Sequence, residues 1–323
     1  MVEPGSPPWS FAQHFSTIVD NLARVIRGKD ELLRLTTTCL LAEGHLLVED
    51  VPGVGKTSLA KALARTVQGS FGRIQFTPDL LPSDVSGTAV WNQLQATFEF
   101  RPGPIFSNVL LADEINRASP KTQSALLEAM AEEQVTVDGS TRELARPFMV
   151  IATQNPIEHQ GTYPLPESQL DRFLMKLSVG YPGRDDELSI LEDEGGDTAL
   201  AQLGPVVGPA ELTSLADMAR RVHVAPTLAG YLLDLAAATR QHRALALGMS
   251  PRAVLGLQRV IRVRAASTGR GYATADDVKA VAGVVLGHRL IVSPEAQIQG
   301  VNSIDVLDEV LASTPVPREA PVP

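Results

Sequence analysis

Short apolar runs alternate with helical patterns of apolar positions through the first half of the chain. Two of these runs, Leu110–Ala112 and Met149–Ala152, are continuously apolar, which is typical of strands buried on both faces. Strands that alternate with helices in this way favour a largely parallel sheet covered by helices. The predicted strands are His45–Glu49, Gly72–Thr77, Asn108–Ala112, Pro147–Thr153 and Phe173–Val179, and the predicted helices cover about 10–26, 29–43, 55–68, 119–133 and 167–172.

Only helical patterns are visible after Tyr181-Pro182-Gly183. Ser250 stands directly before Pro251, which is an N-cap followed by a first-turn proline. Thr274 likewise precedes two first-turn acids. The predicted helices cover about 184–194, 209–221, 226–240, 251–267 and 274–289. We therefore expect an α/β core over residues 9–182 and an all-helical domain over 183–312, between disordered ends at 1–8 and 313–323 that are rich in proline.

One hairpin is predicted within the α/β core. The β-prone run Gln134–Val137 leads into Asp138-Gly139, a dipeptide typical of two-residue hairpin turns. The hairpin would stand before the fourth strand, and its tip, Val137–Ser140, carries no Lys or Arg.

The segment Leu46–Thr57 has the pattern of a phosphate-binding loop, in which an apolar strand leads through a glycine-rich turn into a helix. Gly53 and Gly55 have no Cβ, so the backbone can curl closely around phosphates with its N–H groups pointing inward. The helix that follows presents its free N–H groups to the anion. Lys56 would reach the β- and γ-phosphates, and the Thr57 hydroxyl would ligate Mg²⁺. The predicted nucleotide-binding residues are Pro52, Gly53, Val54, Gly55, Lys56, Thr57 and Ser58.

The loop departs from the strict pattern at Asp50, where that pattern has Gly. A carboxylate near the phosphates would weaken ATP binding, unless its side chain points away from the loop. Taken alone, the altered motif leaves open a chance Gly-Lys-Thr in a turn.

Two adjacent acids, Asp113 and Glu114, end an apolar strand about 55 residues after the loop. Asp113 would hold Mg²⁺ directly or through water. Glu114 would polarise the water that attacks the γ-phosphate. The alternative is a surface acidic pair before the helix that starts near Ser119.

Asn155 follows another buried strand, Phe148–Thr153. Since the carboxyl ends of parallel strands share one edge, Asn155 would lie near Glu114 and could orient the attacking water or contact the γ-phosphate. Its alternative role is that of a turn residue, because Asn-Pro favours turns.

Two arginines could supply cations for the charge that develops during hydrolysis. Arg172 stands where a short helix meets a strand, and Arg252 lies in the first turn of a helix in the second domain. An ATP held between two domains or two subunits would gain cations in this way. Arg252 could also be a solvated helix charge.

Composition excludes several function classes. The formal net charge is −9, which disfavours general binding of a nucleic-acid polyanion. Cys39 is the only cysteine, so an internal disulfide and a thiolate zinc cluster are excluded. No apolar run reaches the roughly 18 residues that span a bilayer, and the N-terminus lacks a secretory pattern. We expect a soluble cytoplasmic protein with no membrane insertion and no nucleic-acid partner.

Several segments together resemble a MoxR-type AAA+ ATPase, over roughly residues 15–300. The most specific is Gly161–Glu167 leading into Asp171-Arg172-Phe173. The other similar segments are Val25–Asp30, Gln75–Val85, Ala112–Ala118, Asn155–Glu158 and the region from Ser250–Ala253 to His288–Leu290. The resemblance implies an AAA+ P-loop core followed by an all-α lid domain.

The resemblance also implies a role for each candidate residue. The matches are Lys56 and Thr57 with Walker A, Asp113 and Glu114 with Walker B, Asn155 with sensor 1, Arg252 with sensor 2, and Arg172 with an arginine finger acting on the neighbouring subunit's ATP. The family works with ATP and Mg²⁺ as a ring, commonly a hexamer, that remodels or matures other proteins. Its usual partners carry a von Willebrand A domain.

Three other functions stay open at this point. A metal-chelatase motor subunit has a similar core and also pairs with a von Willebrand A partner, so sequence separates it poorly from a protein remodeller. A DNA helicase or clamp-loader motor is disfavoured by the acidic charge and by the uncharged or acidic residues of the hairpin tip. A small-molecule kinase is least favoured, because no substrate motif is visible.

Overall fold

The structure is a computed structural model that describes residues 8–156, 162–192 and 197–317. Contacts between residues divide the chain into two compact units. The domain limits inferred from the sequence, 9–182 and 183–312, stay predictions. Among the described residues, the first unit comprises 16–156, 162–173, 177–192 and 197–213, and the second comprises 8–15, 174–176 and 214–317.

The strands of the described residues form one five-stranded sheet and three two-stranded pairs. In chain order they are β1 (Leu46–Glu49), β2 (Phe71–Gln75), β3 (Gly87–Asn92), β4 (Thr97–Pro102), β5 (Val109–Asp113), β6 (Gln134–Val137), β7 (Ser140–Glu143), β8 (Met149–Gln154), β9 (Met175–Leu177), β10 (Leu245–Leu247) and β11 (Ile291–Val292). The large sheet has the spatial order β2-β5-β8-β1-β9, and β2, β5, β8 and β1 pair in parallel. The predicted parallel sheet is therefore confirmed.

Helices cover the sheet in the first unit and make up most of the second. In chain order they are α1 (Pro8–Ala23), α2 (Asp30–Leu41), α3 (Lys56–Thr66), α4 (Pro82–Ser86), α5 (Pro120–Glu132), α6 (Glu167–Leu170), α7 (Arg184–Glu192), α8 (Asp197–Ala201), α9 (Pro209–Arg220), α10 (Pro226–Gln241), α11 (Pro251–Ser267), α12 (Ala275–Leu286), α13 (Pro294–Ile298) and α14 (Ser303–Ser313). The predicted N-cap at Ser250 is confirmed, since its hydroxyl accepts a hydrogen bond from the backbone N–H of Ala253. Ser119 caps α5 in the same way, through the N–H of Thr122.

The core of the first unit is made from the same apolar runs that predict the strands. Phe76, Leu110, Val150 and Phe173 are fully buried within it. Complete burial of such side chains stabilises the fold by about 1.5–3 kcal/mol each. Because this core fixes the strands close to their last residues, it also fixes the polar residues that follow them.

Two hairpins accompany the sheet, and only one was predicted. The pair β6–β7 confirms the prediction at Asp138-Gly139, where both residues have the positive φ that this turn requires, 51° and 74°. The pair β3–β4 was missed because its turn, Gln93–Ala96, contains no Gly, Asp or Pro. In β3–β4 the Trp91 ring packs edge-on against Phe98, with ring centroids 5.1 Å apart.

The prediction that only helices follow Gly183 is wrong, because β10 and β11 form an antiparallel pair. Strands of three and two residues are too short to show apolar alternation. Pro8 begins α1 and Ser313 ends α14. Residues 314–317 are described and belong to no helix or strand. Residues 1–7 and 318–323 of the two predicted disordered ends lie outside the described residues, as do Ile157–Gly161 and the last two residues of the predicted helix 184–194.

Candidate functional site

The candidate residues of the first unit leave the sheet along one edge. In the strand register Glu49 of β1 lies opposite Gln154 of β8, and Gln75 of β2 lies opposite Asp113 of β5. The strands β5 and β8 are paired up to Ala112 and Ala152. The loop after β1, the acids at the end of β5 and Asn155 after β8 therefore share the carboxyl edge of the sheet, where ligands bind in such folds.

The phosphate-loop candidate borders open space. Gly53 and Gly55 have φ angles of 87° and 89°, and a Cβ added to either would meet no heavy atom within 4 Å. Gly55 is also the N-cap residue of α3, so the free N–H groups of the first helical turn lie directly after the loop. A concave turn with two glycines, followed by a helix N-terminus, fits an anionic phosphate.

Lys56 folds back over the loop. Its ammonium group donates hydrogen bonds to the backbone oxygens of Asp50, at 2.8 Å, and Val51, at 3.2 Å. These contacts hold a cation above the glycine turn. Thr57 and Ser58 follow in the first turn of α3, both half-buried.

The Asp50 carboxylate contacts the segment that follows β9. It accepts hydrogen bonds from Gly180 N–H at 2.6 Å, Ser178 Oγ at 2.8 Å and Val51 N–H at 2.8 Å. Burial alone would raise the pKa of this carboxyl, but these hydrogen bonds outweigh it and hold the pKa of Asp50 below its ordinary value. Asp50 thus stays charged, and its carboxylate is used by the Val51 N–H at the start of the loop and by residues 178 and 180.

Asp113 is bound on both of its carboxylate oxygens. Arg73 on β2 donates to one at 2.9 Å, and the hydroxyl of Thr153 on β8 donates to the other at 2.6 Å. The Arg73 side chain is about half exposed, so this ion pair is weak and can exchange. An oxygen held so loosely fits Mg²⁺, with Asp113 and the Thr57 hydroxyl as the residues that would hold it.

Glu114 has a left-handed backbone conformation, with φ 55°, at the turn that leaves β5. Its carboxylate accepts from Gln75 Nε2 at 2.7 Å and from Arg117 at 3.0 Å. The hydroxyl of Thr153 accepts from the Glu114 backbone N–H at 2.8 Å, so one hydroxyl connects both acids. Glu114 remains partly exposed, as a general base that must reach a water requires.

Asn155 is buried at the end of β8. A cleft of about 250 Å³ lies beside it and is lined by Glu49, Asn116, Gln154 and Thr162, among others. Asn155 therefore borders open space at the same edge as the acids.

The two candidate arginines lie elsewhere. Arg172 donates a hydrogen bond to the backbone oxygen of Leu127 in α5, at 2.6 Å. Arg252 is exposed in the first turn of α11, in the helical unit. Their approach to a nucleotide stays a prediction.

Sequence reasoning missed the residues that hold the acids. Arg73, Gln75, Arg117 and Thr153 contact Asp113 or Glu114. The apolar run of β2 was visible, but its pairing with β5 was not. An assumed strand order with β2 beside β5 would have placed Arg73 and Gln75 there.

Comparison with known proteins agrees with the AAA+ resemblance found in the sequence. Residues 45–175 match the family described as "ATPase family associated with various cellular activities (AAA)", and residues 237–310 match the AAA lid domain. The chain is 42% identical over 309 residues to Chaperone MoxR1 of Mycobacterium tuberculosis, covering 93% of this chain and 81% of that protein. It is 46% identical over 299 residues to the uncharacterized protein YeaC of Bacillus subtilis, covering 93% of each.

Two further similarities extend over nearly the whole chain. Protein MoxR of Paracoccus denitrificans is 32% identical over 320 residues, covering 91% of this chain and 93% of that protein. The crystal structure of a candidate ATPase from Cytophaga hutchinsonii superposes with a TM-score of 0.90 at 36% identity, covering 96% of this chain and 97% of that one. None of the described helices has the length and apolar character needed to cross a bilayer. The predicted family and fold are confirmed: this chain belongs to the MoxR family of AAA+ ATPases.

Proposed function

We propose that this protein hydrolyses ATP with Mg²⁺ at the carboxyl edge of the sheet and uses the energy to remodel a partner protein. The observation that carries the proposal is the pair of acids, Asp113 and Glu114, on the strand edge that also bears an open glycine loop and Lys56. The family of the chain supports ATP hydrolysis.

Each residue has one task in the proposed mechanism. The loop N–H groups and Lys56 bind the phosphates. Thr57 and Asp113 would hold Mg²⁺, which would neutralise negative charge on the phosphates. Glu114 accepts a hydrogen bond from the attacking water, and Asn155 fixes the position of that water or of the γ-phosphate. Gln75 and Arg117 hold the Glu114 carboxylate in position before the attacking water binds.

We propose further that the protein acts as a homo-oligomeric ring, with a hexamer as the expected size. Arg172 would complete the site of the adjacent subunit, and Arg252 would contact the γ-phosphate from the lid. Among the described residues, Arg172 donates to one backbone oxygen, and the negative charge of a γ-phosphate would compete for the same guanidinium group.

A protein client is favoured by the hairpin β3–β4. Leu94 is 98% exposed at its turn, beside Phe98 at 71% and Trp91 at 49%. The eleven residues from 88 to 98 carry no charged side chain. Exposed apolar side chains on an uncharged turn fit an apolar protein segment and not a polyanion. A relative is named a chaperone, which supports the same class of client, and we expect a partner with a von Willebrand A domain.

A DNA motor is disfavoured by the second hairpin. The tip of β6–β7 contains Asp138-Gly139, and the two arginines nearest to it are already engaged. Arg142 lies over the Phe100 ring at 3.9 Å, and Arg146 pairs with Glu133 at 2.7 Å. A metal-chelatase motor would use the same site and stays the alternative.

The proposal is tested by measuring the ATPase rate with single-stranded DNA, with duplex DNA and with a candidate von Willebrand A partner at physiological salt. We expect an Mg²⁺-dependent rate that is abolished in Lys56→Ala and stimulated by the protein partner. Asp234→Ala, at an exposed position of α10, is the matched control. Hydrolysis retained by Lys56→Ala would remove the loop from the mechanism. Stimulation by DNA alone would favour the helicase alternative.

A further inference from the structure

Asp50 has a set of contacts that phosphate binding does not use. Its carboxylate accepts from Gly180 N–H, Ser178 Oγ and Val51 N–H. Only 8% of the residue is exposed, so the charge depends on these three donors for its solvation. Two of the donors come from the segment 178–180, far along the chain.

The backbone of the same residue reaches two other parts of the site. Asp50 N–H donates to Gln154 O of β8 at 3.1 Å, one residue before Asn155. Asp50 O accepts from the Lys56 ammonium at 2.8 Å. Residue 50 therefore joins the end of β8, the phosphate-loop lysine and the segment 178–180.

A glycine at this position would keep the two backbone hydrogen bonds but lose the contact with residues 178–180. It would remove an acceptor for three donors and would allow the loop backbone more conformations. The backbone oxygen of residue 50, which now holds Lys56, would then lose its fixed direction. ATP binding would have to order the loop, and this would lower the affinity for ATP.

We propose that Asp50 is a positioning residue, which fixes the start of the phosphate loop against residues 178–180 and so holds Lys56 ready for the phosphates. The role rests on the proposed function, because it requires ATP to bind at this loop. It also reverses the expectation that an acid at position 50 weakens binding.

The test measures the dissociation constant of a fluorescent ATP analogue, together with KM, kcat and melting temperature, for the full chain. In Asp50→Gly and Asp50→Ala we expect the dissociation constant and KM to rise about ten-fold. Loss of hydrogen bonds to a charged group changes an equilibrium constant by about this factor. The value of kcat at saturating ATP should change less than KM. Asp50→Asn keeps one acceptor oxygen and should give an intermediate value.

Two further variants make the test decisive. Ser178→Ala removes one donor and leaves Asp50 in place, so it should raise the dissociation constant by a smaller factor. Asp234→Ala, exposed in the helical unit, should leave it unchanged. If the Asp50 variants fail to fold, the Ser178→Ala result decides.

Several results would overturn the role. One is an unchanged dissociation constant in Asp50→Gly, or in Ser178→Ala where that variant decides. Another is a lowered melting temperature with KM unaltered, which would make Asp50 a purely structural residue. Wild-type protein that does not bind the analogue would overturn the proposed function and this role together. Wild-type binding with unchanged binding in the variants would overturn this role alone.

Discussion

Acids at the sheet edge and in the helical unit carry the same charge but are held in different ways. Glu114 keeps about a quarter of its side chain exposed and pairs with one arginine at 3.0 Å. Asp277, in the first turn of α12, is 3% exposed and binds both terminal nitrogens of Arg270, at 2.7 and 2.8 Å. Its carboxylate also accepts from the Thr274 backbone N–H. The first arrangement allows exchange of partners, and the second fixes a helix start.

The two arrangements differ in the free energy that is needed to break the ion pair. Parting a half-exposed ion pair costs about 0–1 kcal/mol, because water replaces the partner. Breaking a buried pair costs about 3–5 kcal/mol, since one charge is left without a partner. An acid that must meet a water or a metal belongs in the first setting, and an acid that serves folding belongs in the second.

The largest effect expected is in Glu114→Gln. The amide cannot act as a general base, so the hydrolysis rate should fall about 10²- to 10⁴-fold. ATP affinity should persist, and the free energy of unfolding should stay within about 1 kcal/mol of wild type. Single-turnover hydrolysis measures the rate, titration with a fluorescent ATP analogue measures the affinity, and urea unfolding measures the stability. Full turnover by this variant would exclude Glu114 as the base.

Arg172→Ala should lower the rate about 10³-fold if the residue acts on a neighbouring site. Mixing Arg172→Ala with Glu114→Gln protein creates some interfaces with an intact arginine and an intact acid. We expect activity in the mixture above that of either variant. A rate that does not depend on protein concentration, with no recovery on mixing, would contradict action between subunits.

Asp277→Asn should lower the free energy of unfolding by about 2 kcal/mol, less than a fully buried pair because the Arg270 side chain is 29% exposed and can rehydrate. Its neighbour Asp276 is exposed in the same helical turn, so Asp276→Asn is the matched control, with an expected loss below about 1 kcal/mol. Urea midpoints measure both. Equal losses in the two variants would show that the helix terminus, and not the buried pair, carries the effect.

The smallest effect is a dependence on pH. Burial alone would raise the pKa of Asp277, but hydrogen bonds from Arg270 and Thr274 outweigh it and hold the pKa below its ordinary value. A lowered pKa gives stability that is complete above the unfolded-state value of about 3.9 and is lost as the pH falls toward the folded value. The difference in melting temperature between wild type and Asp277→Asn should shrink as the pH falls below about 4. A constant difference over that range would contradict the assignment.

The sequence predicts the sheet well because β5 and β8 are continuous apolar runs that few other elements can produce. It misses β3–β4, because the turn Gln93–Ala96 has no residue suited to a tight turn and the aromatic side chains face solvent. It finds Asp113 and Glu114 as a motif but not their partners on β2, because register is a property of the folded sheet. It treats Asp50 as a defect, since the donors that explain it lie 128 and 130 residues away.

The position of Thr153 requires a side chain with a hydroxyl group. Its hydroxyl donates to Asp113 and accepts from the Glu114 N–H within a side chain that is 1% exposed. Serine could keep both bonds, whereas valine, although of nearly the same shape, would leave two polar groups unpaired at about 1–3 kcal/mol each. A MoxR-like chain with valine at this position would therefore hold Asp113 and Glu114 less firmly, at a cost in stability that serine would avoid.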